Sequence, residues 1–281
     1  MDDYRAASLQ GWSAVAPDWG ELAERIDQQL RPAAEWMLEA VSPRSGDRVL
    51  ELAGGPGTLS ILAAGRVAPD GTVLHSDFSE AMVQVAQGRF RSEGVQGIDS
   101  RVMDAEHIDL PDGSMDVVVC RMGYMLMADP ATALRESARV LTPGGRLALA
   151  VWTDPASNPW AAHPMRAVMD ELNAPPPPPD APGMWSLGDR QRVEGLLLDA
   201  GLDEIRVELL DGQAEYESAE QWVEATKRLA GPLRALFSNL EEPVRDAIER
   251  RMLELAAPFE QSDGRLSMPQ QMLVASAHRG G

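Results

Sequence analysis

The sequence predicts an α/β protein built on a doubly wound, mostly parallel sheet of seven strands, and three observations carry that expectation. Short apolar runs alternate with amphipathic segments from residue 47 to 152, the rhythm of parallel strands joined by crossover helices. A bare turn, "AGGPG" (53–57), joins the first run to the first of those segments. Two more strand-like runs follow late in the chain, parted by a helical insertion. Such a pair suits a sheet edge closed by an antiparallel last strand.

The elements follow in order. Over 18–41, apolar residues recur at helical spacing (Leu22, Ile26, Leu30, Met37, Leu38, Val41), and Pro32 is expected to split them into two helices. The first five strands are read at "RVLEL" (48–52), "TVLHS" (72–76), "DSRVM" (99–103), "DVVVC" (116–120) and "RLALAVW" (146–152). Helices are expected at 57–67, 79–92 and 130–141, with Ser79 and Asp129 as N-caps and "TPGG" (142–145) as a stop. Residues 153–188 hold five consecutive prolines and read as an extended, poorly helical loop. A helix ending at "DAGL" (199–202), a strand at "IRVELL" (205–210), an insertion over 213–268 and a strand at "QQMLVASAH" (270–278) complete the chain. Ser218 and Gln221 form a capping box at the start of the insertion's helices.

Composition bounds the function. The 281 residues are 44% hydrophobic, enough to bury a sizeable core. A formal charge of −19 argues against nucleic acid or an anionic bilayer as partner, and leaves room for a homodimer. Cys120 is the one cysteine, so an intramolecular disulfide is excluded and a reducing compartment is expected. The start, "MDDYRAASLQ", has no basic region followed by an apolar run, and no apolar stretch approaches the ~18 residues of a membrane span. A cytoplasmic location is the expectation.

The glycine turn has two readings. One is a tight strand-to-helix turn. The other is a loop bared so that a ligand lies against its backbone, beyond the carboxyl end of a strand. The dinucleotide fingerprint fails, because Ser60 stands where its third glycine belongs, and no Gly-Lys-Ser/Thr follows for a phosphate loop.

"VLELAGGPG" resembles the E/D-x-G-x-G-x-G motif of class I S-adenosylmethionine-dependent methyltransferases, with Ala53 in place of the first glycine. The substituted methyl is expected to tolerate ordinary dihedrals there. Asp77 in "VLHSDFSEAM", Asp104 in "VMDAEHIDLPDGSMD", and "DVVVCRMGYMLMADP" followed by "RVLTPGGRLALAVW" are similar to that family's later motifs, in order. "GWSAVAPDWGEL" and "NPW" look like its ubiquinone/menaquinone-type (methyltransferase type 11) branch. The resemblance implies a Rossmann-like sheet and a single domain over 1–281. Its parts would be a helical lid (1–45), a cofactor-binding core (46–152), a proline-rich substrate-side loop (153–188) and the rest of the sheet with the insertion (189–281).

The resemblance also implies roles. The loop Ala53, Gly54, Gly55 and Gly57 would touch the amino-acid part of S-adenosylmethionine, and Glu51 would meet the methionyl ammonium. Asp77 would accept from the ribose hydroxyls, and Asp104 from the adenine amino group. Phe78, Met82, Ala105, Cys120 and Trp19 would border the nucleoside, with S-adenosylhomocysteine as product. Read alone, Asp77 serves equally well as a helix cap, and Asp104 as an ordinary loop aspartate.

The acceptor would be a small molecule, methylated by in-line displacement, with oxygen favoured over carbon or nitrogen. His163 is the candidate base; His75 and His278 sit in strands, and His107 borders the cofactor. Trp12, Tyr124, Met125, Trp152 and Trp160 are the candidate acceptor lining, against the alternative of core packing. Arg121 is read as loop support. No metal-ligand spacing is visible. Two rivals stay open: a nicotinamide-dependent oxidoreductase, and a catalytically silent protein that binds the cofactor or its product.

Overall fold

The computed structural model describes residues 2–176 and 182–280, and the chain falls into two compact units. Unit 1 comprises Met1–Trp152, Pro182–Leu210 and Met272–Gly281; unit 2 comprises Thr153–Ala181 and Asp211–Gln271. Residues 177–181, with three of the five consecutive prolines, lie outside the described residues.

Unit 1 opens with α1 (Asp2–Glu21) and α2 (Ala23–Val41). The predicted break at Pro32 does not occur; the chain breaks at Leu22 instead. Pro32 and the residue four before it, Gln28, are exposed, so the carbonyl that loses its donor faces water. The buried stripe of Ile26, Leu30, Ala33, Met37, Leu38 and Val41 runs straight through the proline. Its packing offsets a cost of ~3 kcal/mol.

Five parallel strands come next: β1 (Arg48–Glu51), β2 (Thr72–Asp77), β3 (Ile98–Val102), β4 (Met115–Arg121) and β5 (Leu141–Trp152). Helices α3 (Thr58–Val67), α4 (Glu80–Ser92) and α5 (Pro130–Val140) connect them. Ser79 and Asp129 cap α4 and α5 as expected. "TPGG" is not a stop before the strand but part of it. Met115 pairs with Leu141 and Val117 with Arg146, so 142–145 bulge out of the ladder, with Gly144 at φ +76°.

After α7 (Arg190–Asp199), β6 (Leu202–Tyr216) and β7 (Leu266–Arg279) complete the sheet in the order β3-β2-β1-β4-β5-β7-β6. β7 runs antiparallel to β5, from Arg146 opposite His278 to Trp152 opposite Met272. Both late strands are longer than their sequence signals. The helical insertion between them is accordingly bounded by Tyr216 and Leu266, not 213 and 268.

Unit 2 holds α6 (Pro159–Leu172), α8 (Ala219–Leu229), α9 (Gly231–Phe237) and α10 (Glu242–Ala256). The expected non-helical stretch therefore contains a 14-residue helix, because Pro159 occupies the first helical position, where no N–H is needed. Its core centres on Trp222, whose indole N–H donates to the Trp160 carbonyl at 2.9 Å. Buried Asn158 ties Thr153 to the backbone of Gln271, accepting from its N–H at 2.9 Å and donating to its C=O at 3.1 Å. The capping pair reaches one residue further back than expected: Ser218 accepts from Gln221 N–H, and Gln221 accepts from Glu217 N–H.

Candidate functional site

The carboxyl ends of β1, β2 and β4 meet in unit 1 around the glycine loop. The chain leaves β1 through three residues in the left-handed region: Ala53 (φ +51°), Gly55 (φ +53°) and Gly57 (φ +82°). Ala53 thus has no ordinary dihedrals, contrary to expectation; it holds a glycine conformation at a cost of ~1–2 kcal/mol.

Gly54 is pressed against the floor of the site, where a Cβ would stand 2.5 Å from the His75 ring and 3.0 Å from the Glu51 carboxyl carbon. A Cβ on Gly55 would meet nothing within 4 Å. A Cβ on Gly57 would lie 2.4 Å from the Phe90 ring, so that glycine is required by packing below the loop. Gly123, absent from the expected site, is equally constrained: its Cβ would stand 2.6 Å from both Ala53 Cβ and Cys120 Sγ.

Glu51 is 1% exposed at the end of β1. Its Oε2 accepts from Ser60 N–H at 2.8 Å and from the Ser60 hydroxyl, so it caps the first turn of α3. Oε1 makes no hydrogen bond among the described residues. Burial pushes the carboxyl up to about 7, against the Ser60 hydrogen bonds and the Arg121 charge, with Asp77 adding a smaller upward push.

Asp77, at the end of β2, accepts from Gly55 N–H at 3.0 Å and from Ser79 N–H at 2.9 Å. Burial raises it to about 6 despite those bonds. The carboxylate thus grips the loop at Gly55 and steadies the backbone of Ser79, the residue that caps α4.

His75 lies beneath the loop at 0% exposure. Its Nε2 is 3.1 Å from the Gly55 carbonyl, an obligate acceptor, so Nε2 carries the proton and Nδ1 accepts from the Ser100 hydroxyl at 2.7 Å. Burial lowers its pKa to about 4, which keeps the ring neutral. The Gly55 residue is therefore held at both ends, its N–H by Asp77 and its C=O by His75. A histidine inside a strand gave no signal of this in the sequence.

On the outer side, α1 reaches across the carboxyl ends of β2, β3 and β4. The Tyr4 hydroxyl donates to the Leu126 carbonyl at 2.8 Å, Arg5 pairs with Asp104 and Glu106, and Ser13 meets Ser79 at 2.9 Å. Asp104 also accepts from Glu106 N–H at 2.9 Å. Ala105 beside it is buried. Trp12 and Trp19 stack edge-on, 5.4 Å apart, against a cluster of Val15, Ala16 and Met82. Phe78 is half-buried.

Behind β4, the buried Cys120 thiol is pushed up to about 12 by burial and is inert as a nucleophile. Tyr124 is fully buried with its hydroxyl on Ser137 at 2.7 Å, a core position, not an open wall. Met125 and Trp152 are buried as well. Trp160 and His163 belong to unit 2. His163 packs on Phe259 at 5.9 Å, its Nδ1 is buried without a partner, and burial with the charges of Arg166 and Arg251 lowers its pKa.

Comparison with known proteins agrees with this geometry. Residues 50–149 match the family described as "Methyltransferase domain".

Over 122 residues, this chain is 37% identical to the ubiquinone/menaquinone biosynthesis C-methyltransferase UbiE of Pseudomonas aeruginosa, covering 43% of this chain and 48% of that protein. It is 38% identical to the nocamycin O-methyltransferase of Saccharothrix syringae over 146 residues, 50% of this chain and 52% of the other. The chain thus spans about half the length of these relatives. Among solved structures, the YcgJ protein from Bacillus subtilis superposes with a TM-score of 0.61 at 20% identity, over 89% of this chain and 99% of that one. That likeness concerns the fold.

Proposed function

We propose that the protein transfers a methyl group from S-adenosylmethionine to a small-molecule acceptor. The observation that carries the reading is the pair of buried carboxylates, Glu51 and Asp77, on either side of the left-handed loop. Glu51 has an oxygen left for an ammonium, and Asp77 is assigned to the ribose hydroxyls. The dinucleotide fingerprint fails at Ser60, where its third glycine belongs, which counts against a nicotinamide cofactor. The open side of Gly55 leaves room for a ligand against the backbone. Phe78, Met82, Ala105, Trp19 and Cys120 are assigned to the nucleoside. Asp104 would receive the adenine amino group beside its Arg5 pair.

When bound, S-adenosylmethionine supplies an electrophilic sulfonium methyl. The chain holds and orients the partners, which is worth up to ~7–11 kcal/mol. The α1 strap excludes water from the same edge. Oxygen is favoured as the nucleophile; a relative named as an O-methyltransferase supports this, while the other is named for carbon. An oxygen acceptor needs its proton removed, and His163 is assigned that role because its Nδ1 has no hydrogen-bond partner among the described residues and burial with two arginines lowers its pKa. Trp12, Met125, Trp152 and Trp160 are the acceptor-side candidates, with Tyr124 supporting them from the core.

Titration calorimetry with S-adenosylmethionine, S-adenosylhomocysteine and NAD⁺ tests the reading, followed by labelled methyl transfer to a panel of phenols and quinols. Binding of both sulfur nucleosides, weakened in Asp77→Ala, is expected. Binding of NAD⁺ alone would hand the site to the oxidoreductase reading.

A further inference from the structure

The first turn of α3 carries a buried polar triangle. Thr58 follows Gly57 directly, is the first residue of that helix and is 7% exposed. Its hydroxyl donates to Asp27 Oδ1 and accepts from Arg89 Nη1 at 2.8 Å, while Arg89 Nη2 donates to Asp27 Oδ2 at 2.7 Å. Each side chain thus bonds the other two, and the three come from α2, α3 and α4. The planar edge of a guanidinium holds a hydroxyl and a carboxylate side by side in a fixed geometry, which a lysine ammonium does not. Burying such a pair adds little to stability, because desolvation offsets the attraction. What the triangle fixes is a position, the place where the glycine loop enters α3. Gly57 has no side chain with which to cap the helix, and it stands at φ +82°. From below, Ala86 and Phe90 of α4 close on it, so that a Cβ there would meet them at 3.3 Å and 2.4 Å. Arg89, next to Phe90 on the same helix, reaches the following residue. The loop is therefore gripped at Gly55 by Asp77 and His75, and at its exit by α2 and α4.

We propose that Asp27, Thr58 and Arg89 are positioning residues that set the exit of the glycine loop, and through it the affinity for ligands with an amino-acid end. The inference rests on the cofactor reading above, in which the loop backbone meets that end of S-adenosylmethionine. The three side chains act through Gly57 and the first turn of α3. The nucleoside is assigned to Asp77, Phe78 and Asp104, and the triangle bonds none of these. Releasing Thr58 therefore loosens one end of the ligand's seat and leaves the other as it was. A preorganised loop spares the ligand the cost of ordering it, and a released one does not.

The test is calorimetry with two probes on the wild type, Thr58→Val, Thr58→Ser and Asp27→Asn. S-adenosylhomocysteine has the amino-acid end; 5′-methylthioadenosine keeps the nucleoside and the thioether without it, and its affinity is read by displacement of the first probe. Thr58→Val keeps the shape and removes the hydroxyl, and should bind S-adenosylhomocysteine about tenfold more weakly, the scale of a hydrogen bond to a charged group. Its affinity for 5′-methylthioadenosine should stay within about twofold of wild type, on the same scale. Thr58→Ser restores the hydroxyl and should restore the affinity. Asp27→Asn should show the same split between probes, and decides the matter should Thr58→Val not fold. Because the residues act as one unit, the double variant should be no weaker than the weaker single one. Unchanged affinity for S-adenosylhomocysteine in the variants overturns the proposal, as does an equal loss of both probes. A serine variant as weak as the valine one overturns it too, since packing of the methyl would then be the cause. Failure of the wild type to bind S-adenosylhomocysteine removes the cofactor reading, and this proposal with it.

Discussion

Replacing Glu51 by glutamine is expected to stabilise the protein above pH 7 and to weaken its hold on the cofactor. Burial lifts the Glu51 carboxyl from its ordinary 4.5 to about 7. Below pH 4.5 the group is protonated in both the folded and the unfolded chain, and contributes nothing to the pH dependence. Between 4.5 and about 7 the unfolded chain releases the proton while the fold retains it, so wild-type stability falls as pH rises. At ~1.4 kcal/mol for each tenfold in proton affinity, the loss is about 3 kcal/mol and is complete above pH 7. Glutamine keeps an acceptor for the Ser60 bonds and has no proton to lose. The variant's stability relative to wild type should thus climb by about 3 kcal/mol from pH 4.5 to 8, roughly 5 °C in Tm. Asp77, lifted to about 6, is common to both proteins and largely cancels in the difference. Thermal melts of the ligand-free proteins across this range are the assay. A difference that stays flat from pH 4.5 to 8 would refute the claim that burial holds Glu51 protonated. Calorimetry at pH 8 should find S-adenosylhomocysteine bound about tenfold more weakly by the variant, the scale of one lost charged hydrogen bond.

Three further outcomes are expected. Ala53→Gly should leave stability unchanged or raise it by up to ~1 kcal/mol, because relief at φ +51° exceeds the added freedom of the unfolded chain. A loss beyond ~1 kcal/mol in denaturant melts would mean that the Ala53 methyl beside Gly123 matters more than its strain. Gly57→Val should destabilise the ligand-free protein by ~2 kcal/mol or more, since its Cβ would stand 2.4 Å from the Phe90 ring at a positive φ. A native melting curve with lost cofactor binding would instead place the methionyl group above Gly57. His163→Ala should slow oxygen-directed transfer at least tenfold with unchanged S-adenosylhomocysteine affinity. In wild type, the acid limb of kcat should fall below the usual histidine range, because burial and two arginines lower that pKa; full turnover in His163→Ala removes it as the base.

The amino-acid sequence by itself determined the sheet, because buried strands and amphipathic helices leave periodic patterns that need no partner to be read. It also located the loop and Glu51, Asp77 and Asp104, because a strand's carboxyl end is a position along the chain. Helix caps at Ser79 and Asp129 were legible for the same local reason. Only the tertiary structure decided that Pro32 is tolerated, since a buried stripe from distant packing outweighs a local preference. It alone decided that Ala53 is left-handed, that Gly57 answers to Phe90 and Gly123 to Cys120, and that His75 grips Gly55 from below. It also revealed that Arg121 Nη1 is buried without a hydrogen-bond partner among the described residues, an absence no residue pattern records. Each of these is set by what stands across a gap of a few ångströms between residues far apart in the chain, and periodicity carries no information about that neighbour.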